Sequence, residues 1–253
     1  MNRKTFACLL LGVLGAGALS AQTADELIEK NIQARGGREK LKAVQSARIT
    51  GKMVMGQGME APFTEEKSRP HNVRRDFTFQ GMTGTMAYDG KTGWQVMPFM
   101  GKKDPEPMSA DDLKDIQDDA DIDGPLVDYK DKGNQVEYLG KVDVEGTPAY
   151  KLKLTQKSGD VTTIYLDADT YLEIREEAKR NMRGQQMDIE VTIGNYKKVD
   201  GITYPFTMDQ KMKGAPGGQT LNFEKIELNP KLESERFAMP AVKKEPPAPP
   251  KPN

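Results

Sequence analysis

The sequence predicts an α+β domain built on one antiparallel sheet of about ten or eleven strands, curved towards a barrel or half-barrel. From Ser46 onward, apolar and polar residues alternate with period two, and Asp-Gly or Glu-Gly pairs separate the runs. Helical patterns occur before Ser46 and between Gly101 and Gly133. Because neighbouring strands twist by about 20–25°, so long a sheet curls, and these helices are available to cover its concave face.

The first helix is predicted by "TADELIEKNIQARGG". Thr23 is placed to cap it, Glu26 is the capping-box partner three residues later, and Gly36-Gly37 ends it. Its apolar stripe consists of Leu27, Ile28 and Ile32. A short second helical piece follows in "REKLKAV".

The early strands each have one apolar face and one polar face. In "SARITGKMVM" the apolar face carries Ala47, Ile49, Gly51, Met53 and Met55. The runs "HNVRRDFTFQ" and "GMTGTMAYDG" continue the pattern, and Asp89-Gly90 leads by a hairpin turn into "KTGWQVMPFM".

The acidic stretch between Gly101 and Gly133 interrupts the strands. Ser109 is a helix cap and Leu113 with Ile116 forms a narrow stripe, so we expect a helix here that can cover the sheet. A second short helix is predicted to start at Pro125-Leu126 and to end at Gly133.

The late strands include "NYKKVDGITYPF", which predicts a hairpin around Asp200-Gly201 as one turn of the curved wall. Ile202, Tyr204 and Phe206 share a face that Met208 continues. A single bulge would exchange the two faces, so the pattern leaves open which one meets the cavity.

Both ends of the chain differ from the middle. Arg3 and Lys4, the apolar run from Phe6 to Leu19 and the small residues up to Ala21 predict a signal peptide over 1–21. Residues 243–253 form a Pro-rich tail that we expect to be disordered. The domain therefore spans 22–242, and since Cys8 is the only cysteine, the mature chain cannot form disulfides.

The composition argues against several function classes. Without Arg3 and Lys4, 35 basic residues face 38 acidic ones, and no basic patch predicts nucleic-acid binding. His71 is the lone histidine and the mature chain has no cysteine, so a two-histidine metal site and a His–Cys pair are both impossible. "DADIDGPLVDYK" resembles a calcium loop but has Lys130 where a glutamate is needed. We expect no enzyme, no cofactor and no metal.

Methionine is unusually frequent in the first half of the chain, where it accompanies aromatic residues. Unbranched thioether side chains adapt to irregular partners, which favours an apolar ligand-binding lining, although ordinary core filling is the alternative for any one of them. The predicted lining residues are Met53, Met55, Phe63, Phe77, Phe79, Met86, Trp94, Val96, Phe99, Phe206 and Met208.

Several segments resemble the LolA-like periplasmic carriers of outer-membrane lipoproteins and the broader lipoprotein-sorting group. "SRPHNVR" is similar to their Arg-Pro strand opening, "YDGKTGW" to their Asp-Gly hairpin with tryptophan, and "YKKVDGITYPF" to a late hairpin. "LNPKLESERFAMP" is similar to the closing run, and the likeness spans most of Ala24 to Pro240.

The resemblance implies a periplasmic, monomeric LolA-like lipoprotein carrier domain over 22–242. Its curved antiparallel sheet would form an open, incomplete β-barrel covered by the N-terminal helix and a mid-chain helical lid, with an apolar cavity that holds acyl chains. Its partners would be an acylated lipoprotein or a lipid, an inner-membrane donor and an outer-membrane receptor. Arg69 matches the arginine that latches the lid in such carriers. The acidic, Met-rich insertion and the tail depart from the family and leave the cargo open. The alternative is a non-catalytic envelope scaffold or interaction module with a filled β-core.

Overall fold

The structure, a computed structural model, describes residues 22–182, 185–214 and 217–241. The predicted signal peptide over 1–21 and the predicted tail over 243–253 lie outside the described residues. No helix in the described ranges is both long enough and apolar enough to cross a membrane.

The described residues form three α-helices and fifteen strands. The helices are α1 (Ala24–Arg35), α2 (Arg38–Ala43) and α3 (Ala110–Asp119). The strands are β1 (Ser46–Met55), β2 (Met59–Ser68), β3 (Asn72–Phe79), β4 (Met82–Asp89), β5 (Gly93–Met97), β6 (Lys102–Pro107), β7 (Gln135–Val144), β8 (Thr147–Thr155), β9 (Val161–Asp167), β10 (Glu173–Met182), β11 (Gln185–Gly194), β12 (Lys197–Val199), β13 (Ile202–Tyr204), β14 (Thr207–Met212) and β15 (Gly218–Leu228).

Thirteen strands form one antiparallel sheet in the order β6-β5-β4-β3-β2-β1-β15-β14-β11-β10-β9-β8-β7. β6 and β7 are its two edges, so the sheet is not closed. The predicted curved antiparallel sheet is confirmed, but the count of ten or eleven strands is wrong. One reason is that Lys102–Pro107, which we assigned to the helical insertion, pairs with β5 through Trp94–Pro107 and Gln95–Glu106.

Helix α1 begins as predicted. The Thr23 hydroxyl accepts a hydrogen bond from the Glu26 amide (3.2 Å), and the Glu26 carboxylate accepts one from the Thr23 amide (3.0 Å). At its end, Gly36 has a φ of 126°, and a Cβ there would lie 2.6 Å from the carbonyl oxygen of Gly201. Only glycine fits where α1 meets the hairpin around Gly201.

The helical insertion is shorter than predicted. Ser109 caps α3 by accepting a hydrogen bond from the Asp112 amide at 3.2 Å. Residues 120–133 form successive turns instead of the expected second helix. Asp128 has a φ of 51°, and a left-handed residue at that position is incompatible with a continuous α-helix.

The hairpin around Asp200-Gly201 exists, but it is not part of the curved wall. β12 and β13 form a separate two-stranded sheet. Since β11 pairs directly with β14, the hairpin between them projects out of the large sheet. It packs on α1, where Ile202 is 2% exposed.

The large sheet has two distinct faces. On β8 and β9, Leu152 and Ile164 lie directly opposite each other and contact the helices, and we call their side of the sheet the helix face. The other side is the outer face. Beneath α1 and α2 the helix face is filled by a packed cluster, whose members are Leu27, Ile28, Ile32, Leu41, Val44, Leu126, Val127, Leu152, Leu154, Ile164, Leu166 and Ile202. A smaller cluster of Val73, Tyr88, Ile116 and Ala120 joins α3 to β3 and β4.

Candidate ligand-binding face

Between the two helix-covered regions, the helix face carries large apolar side chains that remain partly exposed. The pairing places Val191 opposite Glu176, which lies opposite the packed residue Ile164, so Val191 belongs to the helix face. The same reading assigns eight residues to this surface, which we call the apolar tract: Met53, Phe63, Phe77, Phe79, Val191, Met208, Leu221 and Phe223.

The tract crosses six neighbouring strands, β3, β2, β1, β15, β14 and β11. At about 4.8 Å per strand it is about 24 Å across. None of its side chains reaches the burial of the packed cluster, where every member is at most 4% exposed. A continuous apolar surface of this kind is typical of binding sites.

Phe99 folds back over one end of the tract. Its ring centroid lies 5.6 Å from that of Phe77 and 6.1 Å from that of Phe79. Gly84, opposite Phe77, makes room for this arrangement, because a Cβ there would lie 2.7 Å from the Phe99 ring. Further along, Phe63 and Phe223 meet edge to face at 5.9 Å.

A charged group adjoins the aromatic end of the tract. Arg75 donates from Nε to Glu65 at 2.5 Å and from Nη1 to Asp119 of α3 at 2.8 Å. Burial opposes ionisation of Glu65, but the charges of Arg75 and Lys67 outweigh it and lower the pKa of its carboxyl to about 2. Burial also opposes the charge on Arg75, but Asp119 and Glu65 hold its pKa above the ordinary value.

Arg69 joins three parts of the chain. Its guanidinium donates two hydrogen bonds to Asp123, at 2.6 and 2.9 Å, and one from Nε to the carbonyl of Val44 at 2.7 Å. Asp123 follows α3 and is 6% exposed. Arg69 thus connects the segment after α3 to the end of α2, and its function as a lid latch stays a prediction.

Helix α3 is anchored on both sides of the tract. Lys114 pairs with Asp160 in the β8–β9 turn at 2.8 Å, whereas Gln117 donates to the Tyr88 hydroxyl at 3.2 Å and Asp119 pairs with Arg75 on β3. The helix therefore bridges the open side of the sheet.

The structure does not bring all predicted lining residues together. Trp94 and Val96 lie on the outer face, since Trp94 is opposite Ala87 and Arg74. Trp94 is 1% exposed and donates from its indole to the carbonyl of Phe237 at 2.8 Å. Phe206 is 7% exposed, beneath the ammonium of Lys197. Met86 packs on the smaller cluster, and Met55 lies at the end of β1.

The prediction omitted three members of the tract, Val191, Leu221 and Phe223. Their signal is present in the sequence, because "DIEVTIG" and "QTLNFEK" alternate with period two as the early strands do.

One cavity is lined by none of the eight residues of the tract. It has a volume of about 1080 Å³ and lies at the ends of β1, β9, β10, β11, β14 and β15. Part of its lining is a row of four residues that lie opposite one another on neighbouring strands of the outer face: Thr163, Glu177, Glu190 and Lys211. Met55 is the one predicted lining residue that it includes. Its lining mixes charged residues with apolar ones such as Val54, Ile189 and Met212, which differs from the uniformly apolar cavity that the sequence predicts.

A second cavity, of about 490 Å³, lies between the helical insertion and β8–β9 and is lined by His71, Asp119 and Asp121 among others. In the segment that resembles a calcium loop, each carboxylate forms an ion pair with a different basic side chain. Asp119 pairs with Arg75, Asp121 with Lys132, and Asp123 with Arg69. Across the described ranges, no group of three or more His, Cys, Asp or Glu residues is arranged to hold a metal ion.

Comparison by sequence gives no match to a family model and none to a curated protein. Solved structures do match. A DUF1329 family protein from Desulfovibrio piger aligns with a TM-score of 0.59 and 13% identity, over 85% of this chain and 96% of its own. A LolA superfamily protein from Nitrosomonas europaea gives a TM-score of 0.58 and 14% identity, over 86% and 98%.

An outer membrane lipoprotein-sorting protein domain from Vibrio parahaemolyticus gives a TM-score of 0.54 and 15% identity, over 83% of this chain and 97% of that one. At these identities the likeness concerns the fold. The resemblance predicted from the sequence is confirmed at that level: the chain has the fold of DUF1329 proteins, LolA superfamily proteins and outer membrane lipoprotein-sorting domains.

Proposed function

We propose that this protein is a periplasmic carrier that holds an acyl chain, of a lipoprotein or of another lipid, on the apolar tract. The observation that supports this most strongly is the tract itself, a run of eight large apolar side chains that stay partly exposed between two helix-covered regions. Burying each CH₂ of a ligand there contributes about 0.8 kcal/mol, so one long chain supplies on the order of 10 kcal/mol of gross driving force.

The fold supports the same proposal. Solved proteins of this fold include a LolA superfamily member and a domain described as lipoprotein-sorting. The predicted signal peptide supports export to the periplasm, where a monomer would receive its ligand from an inner-membrane donor and deliver it to an outer-membrane receptor. Helix α3 would act as the lid, and Arg69 as the latch of the segment that follows it.

The experiment is to isolate the mature chain from a native envelope, identify bound lipid by mass spectrometry, and measure uptake of an acylated fluorescent probe. Met53→Glu, on the helix face, is expected to lower probe affinity by at least tenfold, because a carboxylate in the tract loses hydration when the chain binds. Val54→Glu is the matched control, next in sequence but on the outer face, and should leave affinity unchanged. No bound lipid together with no probe uptake would overturn the proposal.

A second candidate is a non-catalytic scaffold or interaction module. The packed cluster beneath α1 and α2 favours it, since helix and turn side chains already cover that part of the helix face. The same assay separates the two, because a scaffold binds the acyl probe no better in the native chain than in Met53→Glu.

A further inference from the structure

This inference rests on the proposed function and concerns the chemistry of the ligand's polar end. Arg75 and Phe77 are two residues apart on β3, and Glu65 and Phe63 are two apart on β2, so all four side chains lie on the helix face. The charged pair therefore continues the tract by one step of about 7 Å. A chain lying on Phe63 and Phe77 has its end within reach of Arg75.

The two carboxylates that contact Arg75 differ in how firmly they are held. The side chain of Glu65 is 15% exposed, lies 2.5 Å from Arg75 and is also 3.3 Å from Lys67. Its pKa of about 2 keeps it ionised at neutral pH. Asp119 is 45% exposed and is the last residue of α3. Ion pairs with an exposed partner contribute little to stability, so Asp119 is the partner that a ligand can replace.

We propose that the ligand is an acyl chain with a free carboxylate, which takes the place of Asp119 on Arg75 and thereby releases the end of α3 from the sheet. The exchange keeps the local charge balanced, since Arg75 and Lys67 would still face two carboxylates. Arginine presents several N–H donors in a planar fork that suits carboxylates, and Arg75 already donates one hydrogen bond to Glu65 and one to Asp119. Ligand binding and lid opening are then coupled through a single side chain.

The test compares laurate with dodecanol, which has the same chain length and no charge, by displacement of a fluorescent apolar probe from the full mature chain. We expect laurate to bind about tenfold more tightly than dodecanol, as an added charged hydrogen bond predicts. Asp119→Asn should strengthen laurate binding severalfold and leave dodecanol unchanged. Arg75→Gln should abolish the preference for laurate.

Arg74→Gln is the matched control. Arg74 is adjacent to Arg75 on β3 and forms a bidentate pair with the carboxylate of Asp76, but its side chain lies on the outer face. It should retain the preference for laurate. If Arg75→Gln does not fold because Glu65 loses its nearest partner, the double variant Glu65→Gln/Arg75→Gln removes both charges and again tests whether the preference for laurate depends on Arg75.

The outcomes separate this inference from the proposed function. If neither ligand displaces the probe, the carrier function itself fails. If both bind equally to the native chain, or if Asp119→Asn and Arg75→Gln leave the laurate preference intact, the carrier function stands and the carboxylate inference is overturned.

Discussion

Two regions of the helix face carry the same kinds of side chain but differ in what covers them. On β8 and β9, Leu152, Leu154, Ile164 and Leu166 are each at most 1% exposed beneath α1 and α2. On the six strands from β3 to β11, the residues of the apolar tract point to the same side and stay partly exposed. Alternation of apolar residues thus identifies the face, but it does not tell whether a helix, a ligand or water covers it.

The difference has an energetic consequence. Fully burying a large aliphatic side chain contributes about 1.5–3 kcal/mol, and the packed region has already gained this on folding. The side chains of the tract have gained only part of this free energy on folding, because they remain partly exposed to water. Under the proposed function, a bound acyl chain would bury the rest of their surface. The packed region stabilises the fold, and the tract is where a ligand can add stability.

The largest expected effect is a contrast between two leucines. Leu152→Ala should lower the free energy of unfolding by about 3–4 kcal/mol, because it opens a cavity in a fully packed site. Leu221→Ala in the tract should lower it by about 1 kcal/mol, because its side chain is only partly removed from water. Urea denaturation of both variants measures this, and equal losses would show that the tract is packed as tightly as the cluster.

The charged end of the tract gives a pH-dependent effect. The folded pKa of Glu65, about 2, lies below its ordinary value of 4.5. Its carboxylate therefore stabilises the fold above about pH 4.5, by about 3 kcal/mol, and this is lost as the pH falls towards 2. Glu65→Gln should be less stable than the native chain at pH 7, and the gap should close between pH 5 and pH 2. A gap that stays constant over this range would contradict the assignment.

The smallest expected effect concerns the ring that covers the tract. Gly84→Ala should cost about 1–2 kcal/mol, because the new methyl group displaces Phe99. Gly56→Ala is the matched control, since a Cβ there has no neighbour within 4 Å. Thermal unfolding of both compares them, and the account of Phe99 is wrong if Gly84→Ala unfolds at the same temperature as Gly56→Ala.

Much of the fold could be predicted because its signals are local. The pair Thr23 and Glu26 marks the start of α1, and period-two alternation marks the sheet. β6 was missed because its two prolines and four charged residues are typical of loops. These residues suit β6 because it is a short strand at the edge of the sheet. A proline there, which lacks a backbone N–H, need not cost a hydrogen bond to a neighbouring strand.

The site was harder to predict because it depends on contacts distant in sequence. The C-terminal segment covers Trp94 of β5 through Phe237, 143 residues away in sequence. The predicted hairpin turn at Asp200-Gly201 is present, but the hairpin packs on α1 as a separate sheet instead of joining the large one. Local periodicity contains neither fact.

The most direct test of the central claim is photocrosslinking with an acyl chain that carries a diazirine near its end, followed by peptide mapping. Labelling is expected on the tract, at residues such as Met53, Phe63 and Leu221, and excess unlabelled acyl chain should suppress it. Labelling confined to the outer cavity around Glu177 and Lys211, or none that competitor suppresses, would contradict the assignment of the tract as the binding surface.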